Sequence, residues 1–365
     1  MSLALSKAGY PSEVLAADEQ LSQRALILYR VLESVPGLIF REKGTLFSAA
    51  TSRTRIERDV IRRDESFSFL HWVARSTLSL QQIGRLLAMP RTALVLHDEW
   101  AFSGGLHYSL RVQGQDLSPL QSILDSHLRK RKRDYFPKKK KAVSPSNWLR
   151  EKALASDLMG EWEIATIPYP IDTHFFHPGL HRERPPSTVP RILFVGTGRH
   201  ESLRKGGDLL VPILNWVRQQ GHEFELDVLA NQLPVAGGSP KFPVTYWGEL
   251  IDDVALRSVY RSADLLILPS RIDNFPLVLQ EAISCGLPVV VNDAGGVGEA
   301  VESAEIGIIA DAQGHQNLFG KAIVHFLERV PEKANAAILR NHYAEERWGM
   351  ERIGHSLAQF AGLGR

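Results

Sequence analysis

The chain of 365 residues is long enough for about two domains of ordinary size. Its hydrophobic content of 44% and charged content of 23% are typical of a globular protein in water and exclude a fibrous or disordered chain. The net charge of +2 gives no overall attraction to nucleic acid, and the single cysteine, Cys285, excludes an internal disulfide framework and fits a reducing compartment.

A targeting or membrane-spanning segment would be visible in the sequence as a long apolar run, and the sequence contains none of sufficient length. The opening residues, MSLALSKAGYPSEVLAADE, lack a basic segment followed by a long apolar core, so we predict no signal peptide. No uninterrupted apolar run reaches the roughly 18 residues that cross a bilayer. We therefore expect a cytoplasmic protein.

The first half of the chain alternates candidate strands with candidate helices. LALSKAGY, at 3–10, reads as a helix that opens the chain. We predict strands at 12–17, 67–73, 92–100, 141–146 and 163–170, and further helices at 19–35, 78–88, 117–133 and 147–158.

The beginning of this half departs from the usual order. A doubly wound domain opens with a central strand and a glycine turn before its first helix, whereas this chain opens in the helix itself. The N-terminal domain therefore lacks its first strand in this interpretation, which would leave two unpaired edges inside its sheet. Two explanations stay open: either the true start lies upstream of Met1, or the N-terminal half is rearranged.

The second half is a regular alternation of apolar strands and amphipathic helices. Continuous Val, Ile and Leu runs separated by helices predict a parallel sheet covered on both faces, which is a Rossmann-like domain. We predict strands at 192–197, 224–230, 244–250, 265–270, 288–293 and 307–312, and helices at 206–221, 252–263, 276–285 and 295–302.

The domain organisation follows from these elements. The segment 176–190 is rich in proline and charge, as linkers are, and divides the two halves. We predict an N-terminal domain at 1–175, a C-terminal domain at 191–342, and a C-terminal helix at 343–365.

Two acids flank one helix start in the stretch SRIDNFPLVLQEAISCGLPVVVND, residues 270–293. Asp273 lies in the loop after a strand, where open α/β sheets bind ligands, and Glu281 lies in the helix that follows. Free N–H groups at a helix start favour a phosphate, and a carboxylate can accept hydrogen bonds from sugar hydroxyls. The pattern therefore suits a ligand with phosphate and polyol parts. The alternative, in which Asp273 caps the helix and Glu281 lies on the surface, stays open.

A basic run, LRKRKRDYFPKKKK, packs nine lysines and arginines between Arg129 and Lys141. One interpretation is a solvated face, and another is a patch that contacts anionic lipid headgroups or a phosphate-bearing substrate. Regularly interleaved aromatic residues are missing, so we expect no nucleic acid partner.

Several segments together resemble one enzyme family. PSRIDNFPLVLQEAISCGLPVVVNDAGGVGEAV (269–301) resembles the signature of retaining GT-B glycosyltransferases of family 4. RILFVGTGRHESLRKGGDLL (191–210) resembles the phosphate-binding strand, loop and helix of this family, and LVLHDEWAFSGGLHY (94–108) a histidine segment of its exopolysaccharide branch. The segments 167–178 and 244–270 are similar to two further parts of the family pattern. The resemblance is clear over 65–365 and weak over 1–64.

The resemblance implies a fold and a reaction. The fold would be α/β of the GT-B class, with two Rossmann-like domains facing across a cleft. The reaction would be retaining transfer of a hexose from a nucleoside diphosphate sugar, UDP-hexose being favoured, to a saccharide or lipid-linked glycan in cell-surface polysaccharide biosynthesis. No cofactor is implied, and no metal cluster is expected because Leu106 stands where the branch often carries a cysteine. A non-catalytic relative acting as a scaffold stays open as an alternative, as does a nucleotide-sugar epimerase.

The resemblance also implies roles on the donor side. Arg199 and Lys205 match the pair that holds the donor diphosphate, and Arg204 is a second candidate for the arginine role. Fixed cations at a glycine-rich strand end can stabilise a leaving diphosphate without a metal. Glu281 matches the acid that binds ribose hydroxyls, while Asp273, at a glutamate position of the family that touches the transferred sugar, is one methylene shorter. The implied donor-binding set is Gly196, Arg204, Asn274, Phe275, Pro276, Leu277 and Glu281.

On the acceptor side the resemblance centres on a histidine. His97 matches the residue that approaches the reacting sugar, and with Arg199, Lys205 and Asp273 it completes the implied catalytic set. Asp98 and Trp100 are implied on the acceptor side. From the residues alone, His97 also fits a packed or capping histidine, and Asp98 either orients the His97 ring or caps the next turn. The tail resembles a helix that crosses back onto the first domain.

Overall fold

The computed structural model describes residues 1–16, 47–50, 54–63, 66–74, 77–109, 117–179, 189–196, 203–231, 239–248, 250, 252–329 and 333–363. The chain divides into two compact units. The N-terminal unit comprises Ser2–Ile167 and His355–Arg365, and the C-terminal unit comprises Pro168–Gly354 together with Met1. The division at Ile167 precedes the expected linker at 176–190.

The N-terminal unit is built on four parallel strands whose order in the sheet is their order in the chain. They are β1 Ser68–Leu70, β2 Thr92–Val95, β3 Lys141–Ser144 and β4 Glu163–Thr166. All four overlap predicted strands, and each contributes at least one buried apolar side chain to the sheet.

Three helices of the N-terminal unit begin at a serine whose hydroxyl caps the helix. The Ser79 hydroxyl accepts from the Gln82 N–H while the Gln82 side chain accepts from the Ser79 N–H, and Ser118 and Gln121 form the same reciprocal capping box. The helices are α1 Ser2–Lys7, α2 Ile56–Ile61, α3 Leu80–Ala88, α4 Pro119–Tyr135 and α5 Asn147–Leu154. The predicted helix at 19–35 lies outside the described residues.

One predicted strand of this unit is wrong. Residues 12–16 form no strand: Val14 is 70% exposed, and the Ser12 hydroxyl instead donates 2.6 Å to the Ser2 carbonyl at the start of α1. Before Ser68, the described part of the chain has one isolated bridge, between Phe47 and Leu106, and no named strand. The expectation of a missing first strand reaches into 17–46, outside the described residues.

The C-terminal unit has a doubly wound sheet of six parallel strands in the order β10-β9-β8-β5-β6-β7. These are β5 Arg191–Val195, β6 Glu225–Leu229, β7 Val244–Tyr246, β8 Leu265–Leu268, β9 Val289–Val291 and β10 Gly307–Ile309. Side chains alternate between the two faces: Leu193 packs in one buried cluster, while Ile192 and Phe194 pack in the other. The predicted Rossmann-like sheet is confirmed.

Helices cover this sheet and continue to the C-terminus. They are α6 Gly207–Gln219, α7 Asp253–Ser262, α8 Leu277–Ser284, α9 Gln316–Leu327, α10 Lys333–Trp348 and α11 Met350–Phe360. The expected tail helix is two helices, because Gly349 bridges Ile171 between them. The helix predicted at 295–302 is wrong. Gly295 has a φ of +74° and Val301 is extended, so only the 3₁₀ turn Val297–Ala300 forms.

Among the described helices, none is both long enough and apolar enough to cross a membrane.

Candidate functional site

The loops that carry the donor-side residues meet at the centre of the C-terminal sheet. From β5 the chain winds outward to β6 and β7 and then returns to place β8 on the other side of β5. The loops after β5 and β8 therefore leave the carboxyl ends of adjacent strands in opposite directions. Such a switch point is where open α/β sheets bind ligands.

Two cations converge on one carboxylate at this point. Lys205 Nζ donates 2.5 Å to Asp273 Oδ2, and Arg204 NH1 lies 3.1 Å from the same oxygen. The cations follow β5 and Asp273 follows β8, and all three side chains are at most 12% exposed. The cluster carries one positive charge in excess, so it favours an anion at the switch point.

Asp273 is ionised in this cluster. Burial raises the pKa of this carboxyl, but Lys205 and Arg204 act in the opposite direction and the pKa ends below its usual range. The Asn274 N–H donates 3.0 Å to Oδ1, so both carboxylate oxygens have partners. The sequence implied a contact of Asp273 with the transferred sugar, which stays a prediction. In the structure Asp273 holds the two cations together.

The loop that bears the cations is fastened to the end of β8. Gly206 has a φ of +68°, and a Cβ there would overlap the Pro269 carbonyl oxygen, so only glycine allows this approach. Arg271 donates 2.8 Å to the Leu203 carbonyl and forms a two-pronged pair with Asp208 at 2.5 and 2.6 Å. These contacts hold the loop that carries Lys205 and Arg204 in place, and they do not involve the charged ends of those two side chains.

The loop after β8 is fixed in the same way by a glycine. Asp273 and Gly295 form a parallel bridge, in which the Gly296 N–H donates 3.0 Å to the Asp273 carbonyl. Asn274 and Phe275 are buried, at 2% and 5% exposed. Pro276 is the N-cap of α8 with extended backbone, so the helix begins at Leu277, one residue after the predicted start at Pro276. Leu277 is 45% exposed, so the start of α8 is open to solvent.

Glu281 has a partner that the sequence did not indicate. The Tyr260 hydroxyl on α7 donates 2.8 Å to Glu281 Oε2. Burial raises the pKa of Glu281 from 4.5 to about 7, and the hydrogen bond from Tyr260 limits the rise. The same burial and the neighbouring carboxylate raise the pKa of Tyr260. The structure therefore places Glu281 in a partly buried environment, not on an open surface.

Gly196 and Arg199 are the remaining residues that the family resemblance implied on the donor side. Gly196 directly follows β5, and its N–H donates 3.2 Å to the Leu229 carbonyl. Arg199, the other implied diphosphate cation, lies outside the described residues.

In the N-terminal unit, His97 lies beyond the end of β2, next to the end of β1. His97 Nε2 is 3.1 Å from His71 Nδ1, and the Trp72 ring stacks on the His97 ring with centroids 4.2 Å apart and planes 7° apart. Burial lowers the pKa of His71 to about 3 and that of His97 to about 4, so both rings are neutral at pH 7. Sequence reasoning missed His71 and Trp72, because it placed both inside a strand at 67–73, whereas β1 ends at Leu70.

Asp98 and Trp100 belong to a buried network. Asp98 Oδ1 accepts 2.9 Å from the Trp100 N–H, which is the predicted cap, and Asp98 Oδ2 lies 2.5 Å from His107 Nδ1. Trp100 is 4% exposed and donates 2.9 Å from its ring to the Ser48 carbonyl. An acceptor role for this pair stays a prediction.

The basic run does not form a uniformly solvated face. Lys132 is fully buried: its ammonium donates to the Trp100 carbonyl and, at 2.5 Å, to that of Gly104, and lies 3.6 Å from the Trp100 ring centroid. Arg129 and Arg133 pair with Asp157. Lys130, Lys138 and Lys139 are exposed.

In the described parts of both units, no group of three or more His, Cys, Asp or Glu side chains is placed to share a metal ion.

Comparison with known proteins finds a family match in the second half of the chain. Residues 189–329 match the family described as glycosyl transferases group 1. This segment is similar to a group 1 glycosyltransferase domain. The chain is 28% identical over 201 residues to the D-inositol 3-phosphate glycosyltransferase of Paenarthrobacter aurescens, a match that covers 50% of this chain and 47% of the relative. It is 28% identical over 162 residues to the GDP-mannose-dependent alpha-(1-6)-phosphatidylinositol dimannoside mannosyltransferase of Mycobacterium tuberculosis, covering 42% of each. The chain thus spans less than half the length of these curated relatives.

Solved structures share the fold over most of the chain, across both units. Sucrose-phosphate synthase from Thermosynechococcus elongatus superposes with a TM-score of 0.57 at 18% identity, over 80% of this chain and 72% of that one. Anabaena HepE in complex with UDP-glucose superposes with a TM-score of 0.57 at 16% identity, over 85% of this chain and 82% of that one. The protein has the GT-B fold, with two Rossmann-like domains built on parallel sheets.

Proposed function

We propose that the protein transfers a hexose from a nucleoside diphosphate sugar to a saccharide or lipid-linked glycan, with retention of the anomeric configuration. The observation that carries this proposal is the convergence of Lys205 and Arg204 on Asp273 at the switch point of a domain that is similar to group 1 glycosyltransferases. Glu281, on the helix that begins at the same edge, supplies the polyol-binding carboxylate. Phosphate and sugar recognition are thus provided within one unit.

In the proposed reaction the bond between the anomeric carbon and the phosphate oxygen breaks, and a bond to the acceptor oxygen forms on the same face. The acceptor proton passes to the departing phosphate oxygen. Lys205 and Arg204 stabilise the negative charge that builds on the diphosphate, as preorganised cations do in a site that excludes water. Arg199 is the third cation that the family resemblance suggests for this task. His97, whose ring is neutral at pH 7, is proposed to orient the sugar. It is not needed as a base, because the departing phosphate oxygen takes the acceptor proton.

The similar proteins are named with two different donor bases. The mycobacterial relative is named as dependent on GDP-mannose, whereas HepE was solved with UDP-glucose. We propose UDP-hexose as the first donor to test and GDP-mannose as the second. We also propose cell-surface polysaccharide biosynthesis in the cytoplasm as the setting.

The first experiment is a thermal shift with UDP, GDP, ADP and their hexose conjugates, on the wild type and on Glu281→Ala. A ligand present at 100 times its Kd should stabilise the fold by about 2.7 kcal/mol. A shift with one nucleotide that the variant loses identifies the donor base. Proton NMR of the product anomeric coupling then tests retention. If no nucleotide shifts a folded sample, the non-catalytic scaffold is the better interpretation, and hexose conversion without an acceptor would instead indicate an epimerase.

A lipid-linked acceptor would place the protein at a membrane surface. We propose that the exposed cations of the run Arg129–Lys141 contact anionic headgroups. Sedimentation with vesicles of neutral or anionic lipid tests this contact, and equal binding to both vesicle types would contradict it.

A further inference from the structure

A buried tyrosine holds one oxygen of the carboxylate to which the proposed function assigns polyol binding. The Tyr260 hydroxyl on α7 donates 2.8 Å to Glu281 Oε2 on α8, and the Tyr260 side chain is fully buried. Its ring packs in the apolar cluster of this unit and meets the Phe176 ring in a T-shaped contact, with centroids 6.3 Å apart. The packing of the ring therefore fixes the place of the hydroxyl.

The tyrosine approaches this carboxylate from within the domain. The helix α7 joins β7 to β8 and α8 joins β8 to β9, and because these strands are parallel, both helices begin at the carboxyl edge of the sheet. At 1.5 Å per residue, Glu281 lies about 6 Å into α8 and Tyr260 about 10 Å into α7. The hydroxyl thus reaches the carboxylate from the side that faces away from the edge where open α/β sheets bind ligands.

The second oxygen of the carboxylate is left for a ligand. Within the part of the chain that the structure describes, Tyr260 is the hydrogen-bond donor to the Glu281 side chain, and it uses Oε2 alone. The Glu281 side chain is only half-buried. An ionised carboxylate accepts hydrogen bonds at both oxygens, so Oε1 can accept from the two neighbouring hydroxyls of a ribose.

We propose that Tyr260 is the positioning residue for Glu281: its hydroxyl fixes Oε2, so that Oε1 meets the ribose hydroxyls of the donor nucleotide. The identity of this ligand rests on the proposed function. A charge-assisted hydrogen bond to a fixed phenol orients a carboxylate more strictly than burial does, because burial imposes no direction. The tyrosine acts only through Glu281 and does not touch the nucleotide.

The same hydrogen bond affects the charge of the carboxyl. Burial raises the pKa of Glu281 to about 7, Asp253 on α7 raises it further, and the bond from Tyr260 lowers it. The ionised form is the better acceptor for hydroxyls, so the preference for a ribose should increase as the pH rises through 7. Tyr260→Phe removes a bond that favours the ionised form, and the midpoint of this increase should therefore move to higher pH.

Isothermal titration calorimetry with UDP, GDP and their 2′,3′-dideoxy analogues measures the preference for the ribose hydroxyls. At pH 8 we expect the wild type to bind one of the two diphosphates about tenfold more tightly than its dideoxy analogue. Tyr260→Phe should reduce this ratio to about threefold or less. It should leave the affinity for pyrophosphate unchanged, because pyrophosphate has no hydroxyls to present. In a Glu281→Gln background, Tyr260→Phe should not change the ratio further.

Tyr343→Phe is the matched control. The Tyr343 hydroxyl, on α10 of the same unit, donates 3.0 Å to the Ala300 carbonyl and not to a carboxylate. Its removal should leave both the ratio and the pH midpoint at their wild-type values. Unfolding temperatures of all variants are measured on the same samples, and Tyr260→Phe should fold because it keeps the packed ring.

The outcomes separate the role of Tyr260 from the proposed function. A tyrosine that only supports the fold would weaken UDP, its dideoxy analogue and pyrophosphate in proportion and would leave the midpoint in place. A wild-type ratio and midpoint in folded Tyr260→Phe would likewise overturn the positioning role, while nucleotide binding by the wild type would keep the proposed function. A folded wild type that binds neither UDP nor GDP would remove the proposed function together with the ribose contact.

Discussion

Lys205 donates a 2.5 Å hydrogen bond to Asp273 from the other side of the switch point, 68 residues away in the chain. The carboxylate thus occupies the position nearest to the two cations. Asp273 Oδ2 holds Lys205 and Arg204 together, and it also offsets part of the positive charge of these two side chains.

Asp273→Asn should separate these two effects. Removing one partner of a buried ion pair costs about 3–5 kcal/mol of stability, so the variant should unfold at a lower temperature. The two cations are then left without their carboxylate, so added pyrophosphate should stabilise the variant more than it stabilises the wild type. A thermal shift with pyrophosphate measures both effects.

Glu225→Gln provides the matched control for this variant. It removes a carboxylate from an ion pair with Arg191 at the opposite edge of the same sheet, where β5 and β6 begin. It should change neither the stability by more than about 1 kcal/mol nor the response to pyrophosphate. An Asp273→Asn protein as stable as the wild type would contradict the structural role of the cluster.

The pKa of Glu281 makes a prediction about pH. Because burial raises this pKa from 4.5 to about 7, the folded protein holds a proton that the unfolded chain releases. The associated stability, about 3 kcal/mol, is present below pH 4.5 and is lost as the pH rises through 7. Glu281→Gln should therefore lack this loss between pH 5 and pH 8, as measured by unfolding temperature across that range.

A control with an exposed carboxylate makes the pH experiment specific. Glu302→Gln removes an acid whose side chain is 46% exposed, and it should follow the wild-type pH dependence. If Glu281→Gln also followed it, the carboxyl would not be protonated in the folded protein near pH 7.

Glycine at 206 should be indispensable. Gly206→Ala combines a positive φ with a Cβ that overlaps the Pro269 carbonyl oxygen, so we expect a loss above about 3 kcal/mol and no nucleotide shift. Gly221→Ala is the control, since Gly221 has a φ of +92° but nothing within 4 Å of an added Cβ. It should cost only about 1 kcal/mol. Equal costs for the two variants would show that the loop does not need its close approach to β8.

Lys132 should be structural in spite of its charge. Lys132→Met removes the donor to three carbonyls, those of Trp100, Ser103 and Gly104, and should cost about 1–3 kcal/mol in urea unfolding. Lys130→Met, which removes an exposed lysine of the same helix, should change little. A Lys132→Met protein that matches the wild type would mean that the relieved burial of an ammonium balances the lost hydrogen bonds.

Sequence reasoning located the C-terminal sheet well and the side-chain partners poorly. Four of its six strands, β5, β8, β9 and β10, are built mainly on continuous Val, Ile and Leu residues, and such runs have few other stable environments. Tyr260 could not be linked to Glu281, because its hydroxyl comes from a different helix and no spacing rule joins the two. The burial of Lys132 could not be predicted either. A lysine within a basic run gives no sign that its ammonium is hydrogen-bonded to backbone carbonyls instead of to water. The prediction of a strand at 12–17 was wrong over its described residues, 12–16. A short apolar segment forms a strand only where a neighbouring strand can pair with it.

The order β10-β9-β8-β5-β6-β7 also has a consequence for synthesis on the ribosome. The inner edge of β5 stays unpaired until Leu265–Leu268 has emerged, so a nascent chain that ends before β8 exposes the backbone of Ile192, Leu193 and Phe194. Such an apolar edge is a template for association with other chains. Nascent chains that stall between β7 and β8 are therefore the ones in which we expect chaperone dependence to be greatest.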